Sequence, residues 1–208
     1  MSRIISSIRH RRFTVFLDLL RAVKPPFTIL DVGGHEWYWK QMGWRGQEGI
    51  RLVLLNLEPS QTDLPNATTV VGDATDLREY GDHEFDVVFS NSVIEHVGDW
   101  RAQTQMAREV ARVGKRYFVQ TPNRWFPIEP HFLLPFFQFY PRRLRVLLVS
   151  NLALGHMRRG SDRSDALAIA DSVRLLTLGE FRRLFPEADI RHERILGLTK
   201  SFIAYAGW

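Results

Sequence analysis

The chain has 208 residues, with 28 Lys and Arg against 23 Asp and Glu, a formal charge of +5 with histidine neutral. Hydrophobic residues make up 45% and charged ones 25%, with 14 Gly and 10 Pro, so disorder, collagen and a fibrous coil are excluded and one ordinary domain is expected. There is no cysteine, which removes disulfide frameworks, thiolate zinc sites, iron–sulfur clusters and cysteine nucleophiles, and no apolar run approaches the roughly 18 residues of a membrane span.

Residues 1–24 open with a positive segment, but the arginines at positions 3, 9, 11 and 12 interrupt the apolar region that an export signal needs. The segment reads as the start of a mature cytoplasmic protein. Ile5, Ile8, Val15, Leu19 and Val23 recur at roughly helical spacing and predict an amphipathic helix ending before Pro25 and Pro26.

From Phe27 the pattern changes to short apolar runs separated by helical stretches, the signature of βαβ units around a parallel sheet. The runs are FTIL leading to Asp31, RLVLLNL to Glu58, TTVVG to Asp73, FDVVFSNS beginning at Phe85, and RYFVQT to Pro122. Most of these strands end in polar residues. In an open α/β sheet a ligand binds beyond the carboxyl ends of the strands, and a site is expected there.

The turn after the first strand contains Gly33 and Gly34 between Asp31 and the bulky His35 and Trp37. Glycine there admits close backbone approach, and the following helix offers free N–H groups. The G-x-G-x-x-G spacing of a dinucleotide site is absent, which argues against a nicotinamide cofactor. Glu58 directly follows the second strand, where a carboxylate can accept hydrogen bonds from both hydroxyls of a ribose. Asp73 ends the third strand, where it can accept from an exocyclic amine while the small Ala74 leaves room for a base.

With ILDVGG, NLEPS, VVGDATDL, FDVVFSNSVIEHV and YFVQTPNRWFP in that order, the chain resembles the class I S-adenosylmethionine-dependent methyltransferases. Within them it is similar to the small-molecule group that includes the ubiquinone-biosynthesis-like enzymes. The resemblance covers residues 27–122 as a cofactor-binding core. It implies an α/β fold, a doubly wound, Rossmann-like sheet of seven mostly parallel strands with the last inserted antiparallel. It implies S-adenosyl-L-methionine as cofactor, with Asp31, Gly33 and the adjoining Gly34 at its methionine end, Glu58 on the ribose, Asp73 and Ala74 on the adenine, and Ser90 or Asn91 beside the sulfonium. The family's glycine loop alternates its glycines, whereas His35 and Trp37 stand in the second and third places here. A non-catalytic binding scaffold is the alternative that this departure raises.

Residues 123–175 concentrate Pro, aromatic and Arg residues and are expected to form an inserted substrate lid. His131, pinned among Pro127, Pro130 and Pro135, can accept a hydroxyl proton near neutrality. His96, in a Glu-His pair, and Glu129 are the other candidate catalytic groups, and no residues are assigned to a metal. Trp125, Phe126, Phe132, Phe136, Phe137, Phe139 and Tyr140 suit a flat or apolar acceptor, or a core beneath the insertion. Arg142, Arg143, Arg145, Arg158, Arg159 and Arg163 beside them suit an anionic or lipid-linked acceptor and peripheral contact with the inner membrane surface, or a solvated basic face. Residues 176–208 begin with a Thr177–Glu180 capping box that opens a short helix stopped by Pro186. The runs ADIRHERIL and SFIAYAGW then complete the sheet as an antiparallel edge pair.

Acceptor classes narrow by exclusion. Pyrimidine C5 methylation needs a covalent thiolate that this chain lacks, and the resemblance disfavours planar-amine acceptors because no Asn-Pro-Pro-aromatic tetrapeptide is present. O- or N-methylation of a small-molecule or lipid-linked acceptor is the expectation. RNA is the alternative suggested by a pI near 9.9, ranked lower because the chain has no separate RNA-binding module or base-stacking motif.

Overall fold

The computed structural model describes residues 2–208, with side chains from Ser6 onward. Strands β1 (Phe27–Val32), β2 (Ile50–Asn56), β4 (Val87–Asn91) and β5 (Tyr117–Pro122) are apolar on both faces, as parallel strands covered by helices on both sides must be. Successive side chains alternate between the faces. Leu30, Val32, Val53, Leu55, Val88 and Val119 pack with helices α3 (Trp100–Val113) and α6 (Leu178–Leu184). Ile29, Leu52, Leu54, Val87, Phe89 and Phe118 pack with α1 (Ser2–Leu20) and α2 (Glu36–Gln41).

With β3 (Ala67–Val71), β6 (Asp189–Ile195) and β7 (Leu198–Ala206), the sheet has seven strands in the order β3-β2-β1-β4-β5-β7-β6. The strands β1 to β5 pair in parallel, and β7 runs antiparallel between β5 and β6. The doubly wound, mostly parallel sheet implied by the sequence is therefore present. Leu196 and Gly197, both with positive φ, form the tight turn that makes β6 and β7 a hairpin. The order reverses between β1 and β4, which opens a crevice at the carboxyl ends of those strands.

Two sequence expectations are corrected. First, no α-helix forms between β2 and β3 or between β3 and β4; residues 57–66 and 72–86 are turns and irregular backbone. Pro59 and Pro65 interrupt the first segment, while Gly72, Asp73, Gly81 and Asp82 favour turns in the second. Second, the buried face of α1 is Arg12, Phe13, Phe16 and Leu20, continued by Val23. Of the five positions expected there, Val23 alone is fully buried, Ile8, Val15 and Leu19 are half-buried, and the Ile5 side chain lies outside the described residues. The aromatic rings win because they bury more area. Phe16 packs with its centroid 4.6 Å from that of Phe89 and 5.3 Å from that of Phe118.

The insertion leaves the sheet at Asn123 and returns at Leu176, and these two residues form an isolated parallel bridge. Between them α4 (Arg142–Asn151) and α5 (Arg163–Asp171) enclose a small core of Phe132, Phe137, Val149, Leu154, Ala166, Ile169 and Ala170. Two of its aromatics are thus structural, whereas Trp125, Phe136 and Phe139 are exposed. The chain re-enters the sheet through α6, whose capping box forms as read: Thr177 Oγ1 accepts from Glu180 N, and Glu180 Oε2 accepts from Thr177 N at 2.8 Å. No helix among the described residues is long and apolar enough to cross a membrane.

Candidate active site

The first half of the site is built where β1, β2 and β3 end. Asp31 is 2% exposed, and its Oδ2 accepts a hydrogen bond from Trp39 Nε1 at 2.6 Å. Burial pushes this carboxyl up to about 8, and the Trp39 bond opposes that only in part. The adjoining glycines are demanded by packing. A Cβ on Gly33, which has φ of 75°, would lie 2.5 Å from Val93 Cγ2, and one on Gly34 would lie 2.2 Å from Asp31 Oδ2. His35 and Trp37 are exposed rather than packed into the turn, with the Arg9 guanidinium 5.6 Å over the Trp37 ring. The aromatic bulk that follows the glycines therefore serves in part as the support of Asp31, through Trp39.

A pH dependence follows from Asp31. Its folded pKa is raised above the unfolded value of 3.8 to about 8, so the folded state holds the extra proton between those limits and stability falls as pH rises through that window. Asp31→Asn, which mimics the neutral acid, should flatten this slope in urea unfolding measured from pH 4 to 8. An equal slope in the variant would remove the assignment.

Glu58, just beyond β2, is exposed and makes no hydrogen bond or ion pair among the described residues. Asp73 uses Oδ1 to accept from Thr75 N and Oγ1, both at 2.8 Å, which leaves Oδ2 open beside the buried Ala74. Carboxyl oxygens accept hydrogen bonds, and two side chains with open oxygens at the ends of adjacent strands therefore fit the hydroxyl and amine donors of a nucleoside. Ser90 is fully buried, and its hydroxyl donates to Val32 O at 3.1 Å, tying β4 to β1. Asn91 is half-buried, with Oδ1 accepting from Arg12 Nη1.

Arg12 was not singled out by the sequence reading. Its guanidinium is 4% exposed, pairs through Nε and Nη2 with both carboxylate oxygens of Glu193, and donates to Gln120 Oε1 at 2.8 Å. It therefore joins α1 to the ends of β4 and β5 and to β6. Because β7 is antiparallel, its start lies at the same carboxyl edge and brings Lys200 there. Burial lowers the Lys200 amine to about 8, aided by the charges of Arg12 and Arg9 and opposed by Glu193 and Glu95. The Tyr38 hydroxyl is buried nearby with no hydrogen-bond partner among the described residues. Nothing in the local pattern marks Lys200 or Tyr38, since each reads as an ordinary strand or helix residue.

The second half of the site brings together the three candidate catalytic residues. Glu129 is 2% exposed; its Oε2 accepts from the backbone N–H of His131 and Phe132, and its Oε1 from His131 Nδ1 at 2.7 Å. This fixes both the loop and the ring. His131 Nε2 then stands 3.1 Å from His96 Nε2, with the rings nearly perpendicular. Glu95 completes the group. It is 0% exposed, with Oε2 accepting from Thr121 Oγ1 at 2.9 Å and Oε1 unpartnered, 3.9 Å from His131 Nε2. Burial disfavours the charged form of both histidines. For His131 the hydrogen bond and charge of Glu129, with Glu95, outweigh that and raise its pKa. For His96 burial prevails over Glu95 and lowers it.

A methyltransferase-domain family matches residues 30–117. Residues 30–117 therefore form a methyltransferase domain. The methyltransferase domain carries Asp31, Glu58, Asp73, Glu95 and His96, and it implies dependence on S-adenosylmethionine. Solved structures share the fold. An S-adenosylmethionine-dependent methyltransferase from Methanosarcina mazei is 15% identical with a TM-score of 0.53, over 90% of this chain and 94% of that one. The YcgJ protein from Bacillus subtilis is 15% identical with a TM-score of 0.57, over 89% of this chain and 71% of that one. At such identities these similarities speak for the fold alone. No curated protein matches this chain in sequence. Glu129 and His131 lie in the insertion, outside the matched segment.

Proposed function

We propose that the protein transfers the methyl group of S-adenosylmethionine to an oxygen or nitrogen of a small-molecule or lipid-linked acceptor seated beneath the insertion. The observation that carries this reading is the Glu95, His96, His131 and Glu129 cluster, which joins the insertion to the sheet beyond β4 and β5, beside the β1–β4 crevice. When bound, the cofactor supplies an electrophilic methyl group on a positively charged sulfur. The chain's own contribution is chiefly to hold the two reactants in line. Glu58 receives the ribose hydroxyls and Asp73 Oδ2 the adenine amine, with Ala74 leaving space for the base. The turn at Asp31, Gly33 and Gly34 takes the methionine end. His131, oriented by Glu129, and His96 face the nucleophilic atom of the acceptor and govern its proton. The exposed Trp125, Phe136 and Phe139 offer a flat apolar wall.

Titration with S-adenosylmethionine tests the reading. Glu58→Ala and Asp73→Ala should each weaken cofactor binding by about 1.5–3 kcal/mol, the worth of a hydrogen bond to a charged group, with circular dichroism unchanged. Wild-type affinity in both variants would remove the nucleoside assignment, and absence of binding to folded wild-type protein would favour the scaffold alternative.

The outer face of the insertion favours a lipid-linked acceptor. A groove of about 800 Å³ between α4 and α5 is lined by Arg142, Arg143, Val146, Leu147, Arg163 and Leu167, and Leu144, Leu147 and Leu152 are exposed beside it. Sedimentation with vesicles containing anionic lipid should show binding, and Arg143→Glu should weaken it about fivefold or more. Equal sedimentation of the variant would leave a water-soluble acceptor.

A further inference from the structure

We propose that Glu95, His96 and His131 form a binding site for one divalent transition-metal ion of the Zn²⁺ class, open on its outer side toward the acceptor. One donor atom from each residue falls within 4.8 Å of the other two. The Nε2 atoms of the two histidines are 3.1 Å apart, a little inside the roughly 3.3–3.6 Å between neighbouring tetrahedral ligands when bonds to the ion are about 2.0–2.2 Å long. Glu95 Oε1 lies 3.9 Å from His131 Nε2, and a small side-chain movement would draw it in to join them.

Two independent features point to an occupant. The first is Glu95 Oε1 itself, a fully buried carboxylate oxygen aimed at the histidines with no hydrogen-bond partner among the described residues. Buried carboxylate oxygens are costly unless paired or bound to a metal. The second is the arrangement around the set. Glu129 accepts from His131 Nδ1, which leaves the Nε2 lone pair directed at the cluster, and Thr121 holds the other oxygen of Glu95. Outer partners of this kind orient the ligands of a metal. Without an ion the two Nε2 atoms can share one proton in a hydrogen bond, but that leaves Glu95 Oε1 without a partner.

The ligand chemistry selects the ion. Imidazole and carboxylate without sulfur suit Zn²⁺ and its first-row neighbours, and three protein ligands leave the open position typical of a catalytic site. His96 is the exposed member, so that position faces outward. Resting on the function proposed above, the histidines would then govern the acceptor's proton through the ion rather than as bases: an acceptor hydroxyl bound there would lose its proton to water. Its oxygen then forms the new bond to the methyl carbon as the carbon–sulfur bond breaks and the electron pair stays on sulfur. Metal binding itself does not depend on that reading.

The experiment is calorimetric titration of chelator-treated full-length protein with ZnCl₂, repeated with CoCl₂ while its visible absorption is followed. The expected result is one saturable Zn²⁺ equivalent and a Co²⁺ spectrum of a low-coordinate nitrogen and oxygen site. His96→Ala and His131→Ala should each weaken binding about tenfold or more, and Glu129→Gln about 10–100-fold. His96 is exposed, so its variant keeps the test sound should changes at the buried Glu95 disturb folding. Absence of a saturable Zn²⁺ equivalent, or an isotherm that both histidine variants leave unchanged, would overturn the proposal. Parallel titration with S-adenosylmethionine separates the two claims: cofactor binding without Zn²⁺ binding sinks this inference alone, and Zn²⁺ binding without cofactor binding sinks the proposed function alone.

Discussion

Arg12→Ala should cost about 3–5 kcal/mol of folding stability and lower Tm by on the order of 10 °C for a domain of this size. The guanidinium is buried and satisfied by Glu193, Asn91 and Gln120. Removing it leaves the Glu193 carboxylate without its countercharge, held only by the Ser201 hydroxyl. Breaking one side of a buried pair is far costlier than losing an exposed one, which is worth about 0–1 kcal/mol. Urea unfolding measures the loss, and a change inside that surface range would show that the network does not hold α1 to the sheet. Adding Glu193→Gln to the variant should recover part of the stability by neutralising the stranded charge. Asn91 would also lose its tether, so weaker cofactor binding is expected alongside.

His131→Ala should reduce turnover by about 10²–10⁴-fold, the range for a group that manages a proton or an activated oxygen, while cofactor affinity stays within about twofold. The separation of the two readouts follows from the local geometry. Glu129 Oε2 still accepts from the backbone N–H groups of residues 131 and 132 when the ring is gone, so the loop keeps its shape. Glu58 and Asp73, proposed to hold the nucleoside, lie beyond β2 and β3, away from the β4 and β5 ends where His131 sits. Single-turnover assays with a hydroxylated aromatic acceptor, paired with calorimetry, provide the measurement. Turnover equal to wild type would return His131 to tying the insertion's loop together.

Much of the candidate site at the ends of β1, β2 and β3 was legible in the sequence because its signals are local. The apolar runs that became β1, β2, β4 and β5, the glycine turn after β1 and the acids following β2 and β3 each depend on a few consecutive residues and on strand geometry. The Thr177–Glu180 box was readable for the same reason, since a cap is satisfied within one turn. The same local reading placed helices around β3 where none form, because apolar spacing was weighed there against several prolines and glycines that prevail. It also missed the buried stripe of α1, where Phe13 and Phe16 are selected by the aromatic surface of Trp39, Phe89 and Phe118.

By itself the sequence determined the fold class, the methyltransferase domain and the strand ends at which acids and glycines collect, since periodicity, turn chemistry and ordered motifs are written in neighbouring residues. Tertiary structure decided what no spacing encodes. Arg12 meets Glu193 across 181 positions, the reversed direction of β7 delivers Lys200 to the site edge, and packing of the insertion sets His131 against His96 across 35. It also made Glu95, which the sequence offered only as the neighbour of His96 in a Glu-His pair, a buried member of the cluster with one unpartnered oxygen. Such contacts arise only when distant segments fold onto a common core, whose shape fixes which side chains lose water together and must satisfy one another.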